Sequence, residues 1–279
     1  NVERCGGTAV MVEDDWGQPV SIDKVDAAFR AHPEASLLAF VHAETSTGVR
    51  SDAEGLCALA RDHGALSIVD TVTSLGGIEL KVDAWGADAV YSGTQKCLSC
   101  IPGLAPVTFS PRAVERIQAR SHRVQSWFLD MQLVMGYWGG SSKRAYHHTA
   151  PINLLYALHE SLLILREEGL EAAHARHRRH HDALVAGLEA LGLEMAVAPE
   201  HRLPQLNAVR IPQGIDDAAL RKTLLEDFNL EIGAGLGVLA GKTWRIGLMG
   251  HACSAANVTL CLTALATSLA QQGLGLDTG

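Results

Sequence analysis

Ala89-Val90-Tyr91-Ser92-Gly93-Thr94-Gln95-Lys96 decides how this chain reads: a short apolar run opens into a polar loop and ends on a lysine. Upstream, Leu66-Ser67-Ile68-Val69-Asp70 has the same apolar form and finishes on a carboxylate. The span between the two runs holds one crossover, so they are predicted to be neighbouring parallel strands. Ammonium and carboxylate then meet at one edge of the sheet, the edge where open α/β sheets take their ligands.

That pairing has a chemical logic. A lysine held beside an electrophilic aldehyde forms an imine, and a buried carboxylate facing a pyridine nitrogen keeps that nitrogen protonated. Those are the two fixed requirements of pyridoxal phosphate chemistry. The plainer account has Asp70 capping a helix and Lys96 as a solvated loop charge, because most lysines are surface residues.

Composition bounds the class. With 279 residues, 47% apolar and only 5% aromatic, the chain can bury a large aliphatic core in one large domain or two smaller ones. A formal charge of −8 offers no basic footprint for nucleic acid. No run reaches the ~18 uninterrupted apolar residues of a membrane span, and the first residues form no charged-then-apolar leader. Cys5, Cys57, Cys97, Cys100, Cys253 and Cys261 are scattered, as free thiols of a reducing compartment are. Cys97-Leu98-Ser99-Cys100 has C-x-x-C spacing without a second pair or nearby histidines, so both cysteines read as packing residues. The C-terminal Asp277-Thr278-Gly279 is not a peroxisomal address. The expectation is a cytoplasmic, soluble protein.

Along the chain, strands and helices are predicted in alternation. Thr8 to Glu13 reads as a strand, Ser21 to Arg30 as a helix stopped by Pro33, and Leu37 to Val41 as a strand buried on both faces. Thr45, Ser46 and Thr47 follow as three hydroxyls before Gly48, able to face a ligand or simply to make a turn. Ser51-Asp52-Ala53-Glu54 is a capping box for a helix to about Asp62. After Asp70 comes a glycine-containing loop, Thr71 to Gly77, whose Val72 can pack flat against a ring held by Asp70. Val82 to Gly86 is a short segment before the strand that delivers Lys96.

Leu104 to Ser110 is predicted as a strand, and Pro111 opens a helix to about Arg120. Trp127, Phe128, Tyr137 and Trp138 then cluster with Gly136, Gly139 and Gly140 in an aperiodic stretch of the kind used for active-site or subunit-contact loops. That stretch ends in Arg144-Ala145-Tyr146-His147-His148-Thr149-Ala150-Pro151. Helices follow over Ile152 to Arg166 and about Gly169 to Leu191. The second carries His174, His177, His180 and His181 among arginines that would repel a metal, so it reads as a solvated face.

The last third reads as a smaller α+β domain. Strands are expected at Glu194 to Ala198, Asn207 to Ile211, Leu230 to Ile232 and Thr243 to Gly247, with helices at Asp216 to Asp227 and Ala255 to Gln272. The loop Gly233-Ala234-Gly235-Leu236-Gly237 lacks the continuation and helix of a dinucleotide fingerprint. Arg245 stands out as a fork suited to a carboxylate, with a structural ion pair as the competing account.

Taken in order, Glu44-Thr45-Ser46-Thr47-Gly48-Val49, Val69 to Gly77, Tyr91 to Lys96, Tyr146-His147-His148-Thr149 and Arg245-Ile246-Gly247 resemble the class V pyridoxal phosphate aminotransferases. Within the class the chain is most similar to alanine-glyoxylate and serine-glyoxylate aminotransferases. The resemblance implies an α/β fold-type I large domain over residues 1–168, lacking its N-terminal part, and a smaller C-terminal α+β domain over residues 169–279. It also implies roughly a hundred further residues upstream of the position matching Asn1.

Roles follow from the same resemblance. Lys96 would hold the cofactor as an imine and shuttle a proton, Asp70 would pair with the ring nitrogen, and Val72 would support a ring face. Thr45, where the family usually has serine, would approach the cofactor's phenolic oxygen, and Gln95 would bond its phosphate. Tyr146 and Thr149 would reach the phosphate of a neighbouring subunit in a homodimer, and Arg245 would clamp the substrate α-carboxylate. The implied reaction passes an amino group from alanine or serine to glyoxylate or pyruvate by a ping-pong route. Two alternatives stand beside it: a non-catalytic partial domain, and a cysteine desulfurase, which would need a mobile cysteine.

Overall fold

The computed structural model describes residues 1–138 and 145–274. Gly139, Gly140 and Arg144 of the aromatic stretch, and Asp277-Thr278-Gly279, lie outside the described residues.

The first half is built on a four-stranded sheet. Helix α1 (Ile22–Ala31) leads to β1 (Leu37–Val41), and the short hairpin β2 (Ala43–Glu44) and β3 (Val49–Arg50) precedes α2 (Ala53–Asp62). Then come β4 (Leu66–Asp70), α3 (Val82–Trp85), β5 (Ala89–Tyr91), β6 (Val107–Phe109) and α4 (Pro111–Gln118). The strand order is β1-β4-β5-β6, with the first three parallel and β6 antiparallel. Register aligns Val41, Asp70 and Tyr91 at the carboxyl ends of the parallel strands. The neighbouring placement of the strands that end at Asp70 and lead to Lys96 is therefore as the sequence implied.

Pleating gives the sheet two unlike faces. Phe40, Val69 and Val90 point into a core completed by Val25 and Phe29 of α1 and Leu56, Cys57 and Ala60 of α2. Leu37, Ile68, Ala89 and Phe109 face the other way and line a cavity of about 960 Å³ beside α4. At the base of the sheet Asp88 ties three strands together: its carboxylate accepts from the Ser67 N–H at 3.0 Å and the Ser110 hydroxyl at 2.8 Å. The Asp88 N–H in turn donates to the Ser67 hydroxyl at 3.0 Å.

A connecting region carries α5 (Met131–Trp138), α6 (Ile152–Glu168) and α7 (Leu170–Ala190). Gly169, at φ +85°, breaks α6 from α7. The second half stacks α7, α8 (Asp217–Phe228) and α9 (Ala255–Gln271) on an antiparallel sheet of β7 (Leu206–Arg210), β8 (Gly233–Ala234) and β9 (Thr243–Gly247), in the order β7-β9-β8. Its core holds Leu184, Leu188, Leu220, Leu224, Leu265 and the fully buried Trp244. The Trp244 indole N–H donates to Asp217 Oδ1 at 2.8 Å, so the ring is buried without an orphaned donor.

Several local expectations are corrected. Thr8 to Glu13 forms no strand, because its backbone has no ladder partner among the described residues and only Val12 packs on the first core. The predicted strand over Leu104 to Ser110 shrinks to Val107–Phe109. Glu194 to Ala198 contributes a single bridge, Met195 to Val209, before Pro199 turns the chain into a 3-10 helix. The predicted strand at Leu230 to Ile232 falls instead at Gly233–Ala234: Asn229 ends α8 in the left-handed region and the Leu230 N–H bonds back to the Leu224 carbonyl.

Two further corrections concern side chains. The cap of α2 is Asp52, whose carboxylate accepts from the Gly55 N–H at 3.0 Å, while the Ser51 hydroxyl accepts from Val20 instead. His177, His180 and His181 are buried rather than solvated. Each bonds to protein: His177 to the Ala173 carbonyl and the Gly250 N–H, His181 to Asn207, and His180 to Cys253. Periodicity alone put them on a polar face; the Gly250 turn and β7 cover that face.

Candidate active site

Asp70 is the last residue of β4, and each of its oxygens receives one donor. The Val72 N–H donates to Oδ1 at 2.8 Å, and the Tyr91 hydroxyl donates to Oδ2 at 2.6 Å. A carboxylate has about four acceptor positions, so capacity remains for a ligand's N–H. The loops that follow β4 and β5 are sewn together: Thr71 donates from both its N–H and its hydroxyl to the Tyr91 carbonyl, at 2.9 and 2.8 Å. The Ser92 hydroxyl returns a bond to the Thr71 carbonyl at 3.0 Å. Register brings the strands together, and these bonds bring their loops together.

Lys96 lies half-buried in the second of these loops. Its carbonyl accepts from the Ser99 N–H at 3.0 Å, Thr94 closes the loop by donating to the Ile101 carbonyl at 2.7 Å, and Cys97 Sγ lies 3.4 Å from the Thr73 carbonyl. The second half of the chain buttresses the same loop. The His251 N–H donates to Ser99 Oγ at 2.7 Å, and Gly250, at φ +54°, packs so closely on Cys97 and Ser99 that a Cβ there would overlap the serine hydroxyl. Gln95 is exposed and its amide occupies the space beside Gly93.

Thr45 and Arg245 meet from opposite ends of the chain. Arg245 Nη1 donates to the Thr45 carbonyl at 3.2 Å and Nε donates to the Ala234 carbonyl at 2.7 Å. Among the described residues Arg245 makes no ion pair, so the structural salt bridge that competed with a binding role is not present. The Tyr146 and Thr149 hydroxyls bond to each other at 2.5 Å, and both side chains are exposed. The Tyr146 ring meets the Tyr137 ring edge-on.

Tyr91 is the member of this cluster that reading the sequence passed over as a site residue. Aligning the ends of the two predicted strands would have revealed it, because Asp70 and Tyr91 are register partners. Burial, with the Asp70 carboxylate adding to it, pushes the Tyr91 phenol up to about 12, so it stays a donor at ordinary pH.

The donor set fits pyridoxal phosphate: a carboxylate with spare acceptor capacity for a ring nitrogen, an amine on the adjoining loop for an aldehyde, and an arginine fork for a carboxylate. Among the described residues no group of three or more His, Cys, Asp and Glu could hold a metal ion. The cavity of about 960 Å³ on the uncovered sheet face is lined by none of Asp70, Lys96 or Arg245.

Comparison with known proteins agrees with the geometry. The family model for aminotransferase class-V matches residues 2–259. The chain is 37% identical to the (S)-ureidoglycine–glyoxylate transaminase of Bacillus subtilis, over 99% of this chain and 70% of that protein. It is 36% identical to the alanine–glyoxylate aminotransferase of Drosophila melanogaster, over 99% of this chain and 70% of that protein. Its structure superposes on that of an alanine–glyoxylate aminotransferase from Nostoc sp. with a TM-score of 0.92 and 46% identity, covering 96% of this chain and 70% of the other. The family match and the shared fold define a fold-type I α/β enzyme that uses pyridoxal phosphate. The chain belongs to the class V aminotransferases.

Proposed function

We propose that this chain carries the centre of an aminotransferase that moves an amino group from a small amino acid, alanine or serine, to glyoxylate or pyruvate. The observation that carries this reading is the pairing of Asp70 with Tyr91 and Val72 at a strand end, on a loop bonded to the one that bears Lys96. Relatives named for glyoxylate support the acceptor.

Pyridoxal phosphate, when bound, supplies the electron sink that lets an α-hydrogen leave as a proton. Asp70 would keep the ring nitrogen protonated, Val72 would lie against a ring face, and Thr45 would donate toward the phenolic oxygen. Gln95 would bond the phosphate. Lys96, as a free amine, would take and return the α-proton, and Arg245 would hold the substrate carboxylate.

Residues 1–168 would form the cofactor-binding large domain and residues 169–279 the smaller one, with the break at Gly169. We read the protein as a homodimer in which Tyr146 and Thr149 reach the neighbouring subunit's phosphate. Trp127, Phe128, Trp138 and Tyr156 are each more than half exposed, as subunit-contact aromatics would be in a lone chain. All six cysteines are free, which supports a cytoplasmic setting. Among the described residues no helix is long and apolar enough to cross a membrane.

Initial-rate kinetics on the complete gene product, with donor and glyoxylate both varied, test the reaction. Parallel double-reciprocal lines are expected, and intersecting lines would count against a ping-pong route. A second reading is favoured by the uncovered sheet face and by α6, which buries none of its residues: this stretch alone would hold cofactor weakly. Tight, stoichiometric binding of pyridoxal phosphate by residues 1–279 alone would dismiss it. Cys97 is unsuited to cysteine desulfuration, because it is buried and burial pushes its thiol up to about 12.

A further inference from the structure

We propose that Tyr91 is a positioning residue for the cofactor: by donating to Asp70 Oδ2 it fixes the carboxylate that holds the ring nitrogen. The inference rests on the reading of Asp70 given above. An aspartate's terminal torsion is broad, so an isolated carboxylate at a strand end samples many orientations. Here it is pinned from two sides, by a backbone N–H on one oxygen and a phenol on the other.

The two donors come from different elements. Val72 follows β4 itself, whereas Tyr91 ends β5, directly opposite Asp70 in the ladder. The angle of the carboxylate is thus referenced to the same strand whose next residues lead to Lys96. Ring nitrogen and aldehyde carbon are at opposite sides of the pyridine, so the groups that grip them need a common frame. Tyr91 supplies that frame through one bond of 2.6 Å, shorter than most neutral hydrogen bonds and typical of a hydroxyl on a carboxylate.

A merely structural tyrosine would be expected to bury its ring. Tyr91 keeps 40% of its surface exposed in this chain. Its hydroxyl has Asp70 as its hydrogen-bond partner.

A double-mutant cycle on the complete gene product decides the matter, with Tyr91→Phe, Asp70→Asn and the pair compared for pyridoxal phosphate affinity by equilibrium dialysis. Tyr91→Phe is expected to weaken binding about tenfold in the wild-type background and to add nothing to Asp70→Asn. The pH midpoint of the bound cofactor's visible band should move in Tyr91→Phe but not between Asp70→Asn and the double variant. Melting of the cofactor-free proteins serves as the folding control and should be unchanged by loss of the hydroxyl. Wild-type affinity in Tyr91→Phe, or an equal loss in both backgrounds, overturns the proposal. Unchanged affinity in Asp70→Asn would remove the reading of Asp70 itself and this role with it, a separate and recognisable failure.

Discussion

Arg245 Nη1 and the Thr45 carbonyl are 3.2 Å apart although the residues are separated by 200 positions. The contact joins β9 of the second sheet to the loop after β2, so the arginine sits where the two halves of the chain face one another. Its remaining N–H groups have a fork geometry that no neutral side chain reproduces.

If that fork binds the substrate carboxylate, Arg245→Ala should raise KM for the amino donor by roughly 10- to 100-fold, the scale of one charge-assisted pair. Arg245→Lys should recover only part of it, because an ammonium cannot bond both carboxylate oxygens in plane. Steady-state kinetics with the donor varied give the answer. A lowered melting temperature with KM unmoved would mean the arginine only braces Thr45 and Ala234.

Replacing Lys96 should separate binding from chemistry. Lys96→Ala is expected to keep pyridoxal phosphate through Asp70 and the loop donors, while the turnover rate falls about 10²- to 10⁴-fold with the general base removed. Absorbance spectra and a donor-acceptor assay on one preparation report both effects. Retained turnover would exclude Lys96 from the reaction.

Acid should weaken the fold through buried neutral histidines. Burial, then the nearby Arg50, lowers His42 to about 4, and burial likewise lowers His177 and His181. In the unfolded chain these rings titrate near about 6.5. Between the two values the unfolded chain binds more protons, so stability is present above about 6.5 and is lost as pH falls toward the folded pKa. His42 alone should contribute about 2 kcal/mol of this loss by about pH 5. Urea midpoints at the two pH values measure it, and His42→Gln should flatten part of the slope.

The two cores should respond separately to truncation. Leu56 lies in the first and Leu265 in the second, and both are fully buried. Leu56→Ala and Leu265→Ala should each cost about 2–5 kcal/mol. If the halves unfold independently, calorimetry will show each substitution moving a different transition. A single shared transition for both variants would argue for one cooperative unit.

Residue order alone was enough to announce the parallel strands, since an apolar run of about five residues has the length of a buried strand and a following polar loop marks its end. That is why the strand that ends at Asp70 and the strand that leads to Lys96 read as neighbours, and why the motifs from Thr45 to Arg245 pointed to the class V aminotransferases. Local patterns failed where a distant partner decides. Three histidines of α7 that periodicity put in water are covered by the Gly250 turn and β7, and the run from Thr8 to Glu13 has strand-like residues but no neighbour to pair with. Tyr91's bond to Asp70 and Arg245's to Thr45 likewise exist only once strands align and halves meet. A hydrogen bond reaches about 3 Å in space and takes no account of separation along the chain, so which side chains share a site was settled by the tertiary fold.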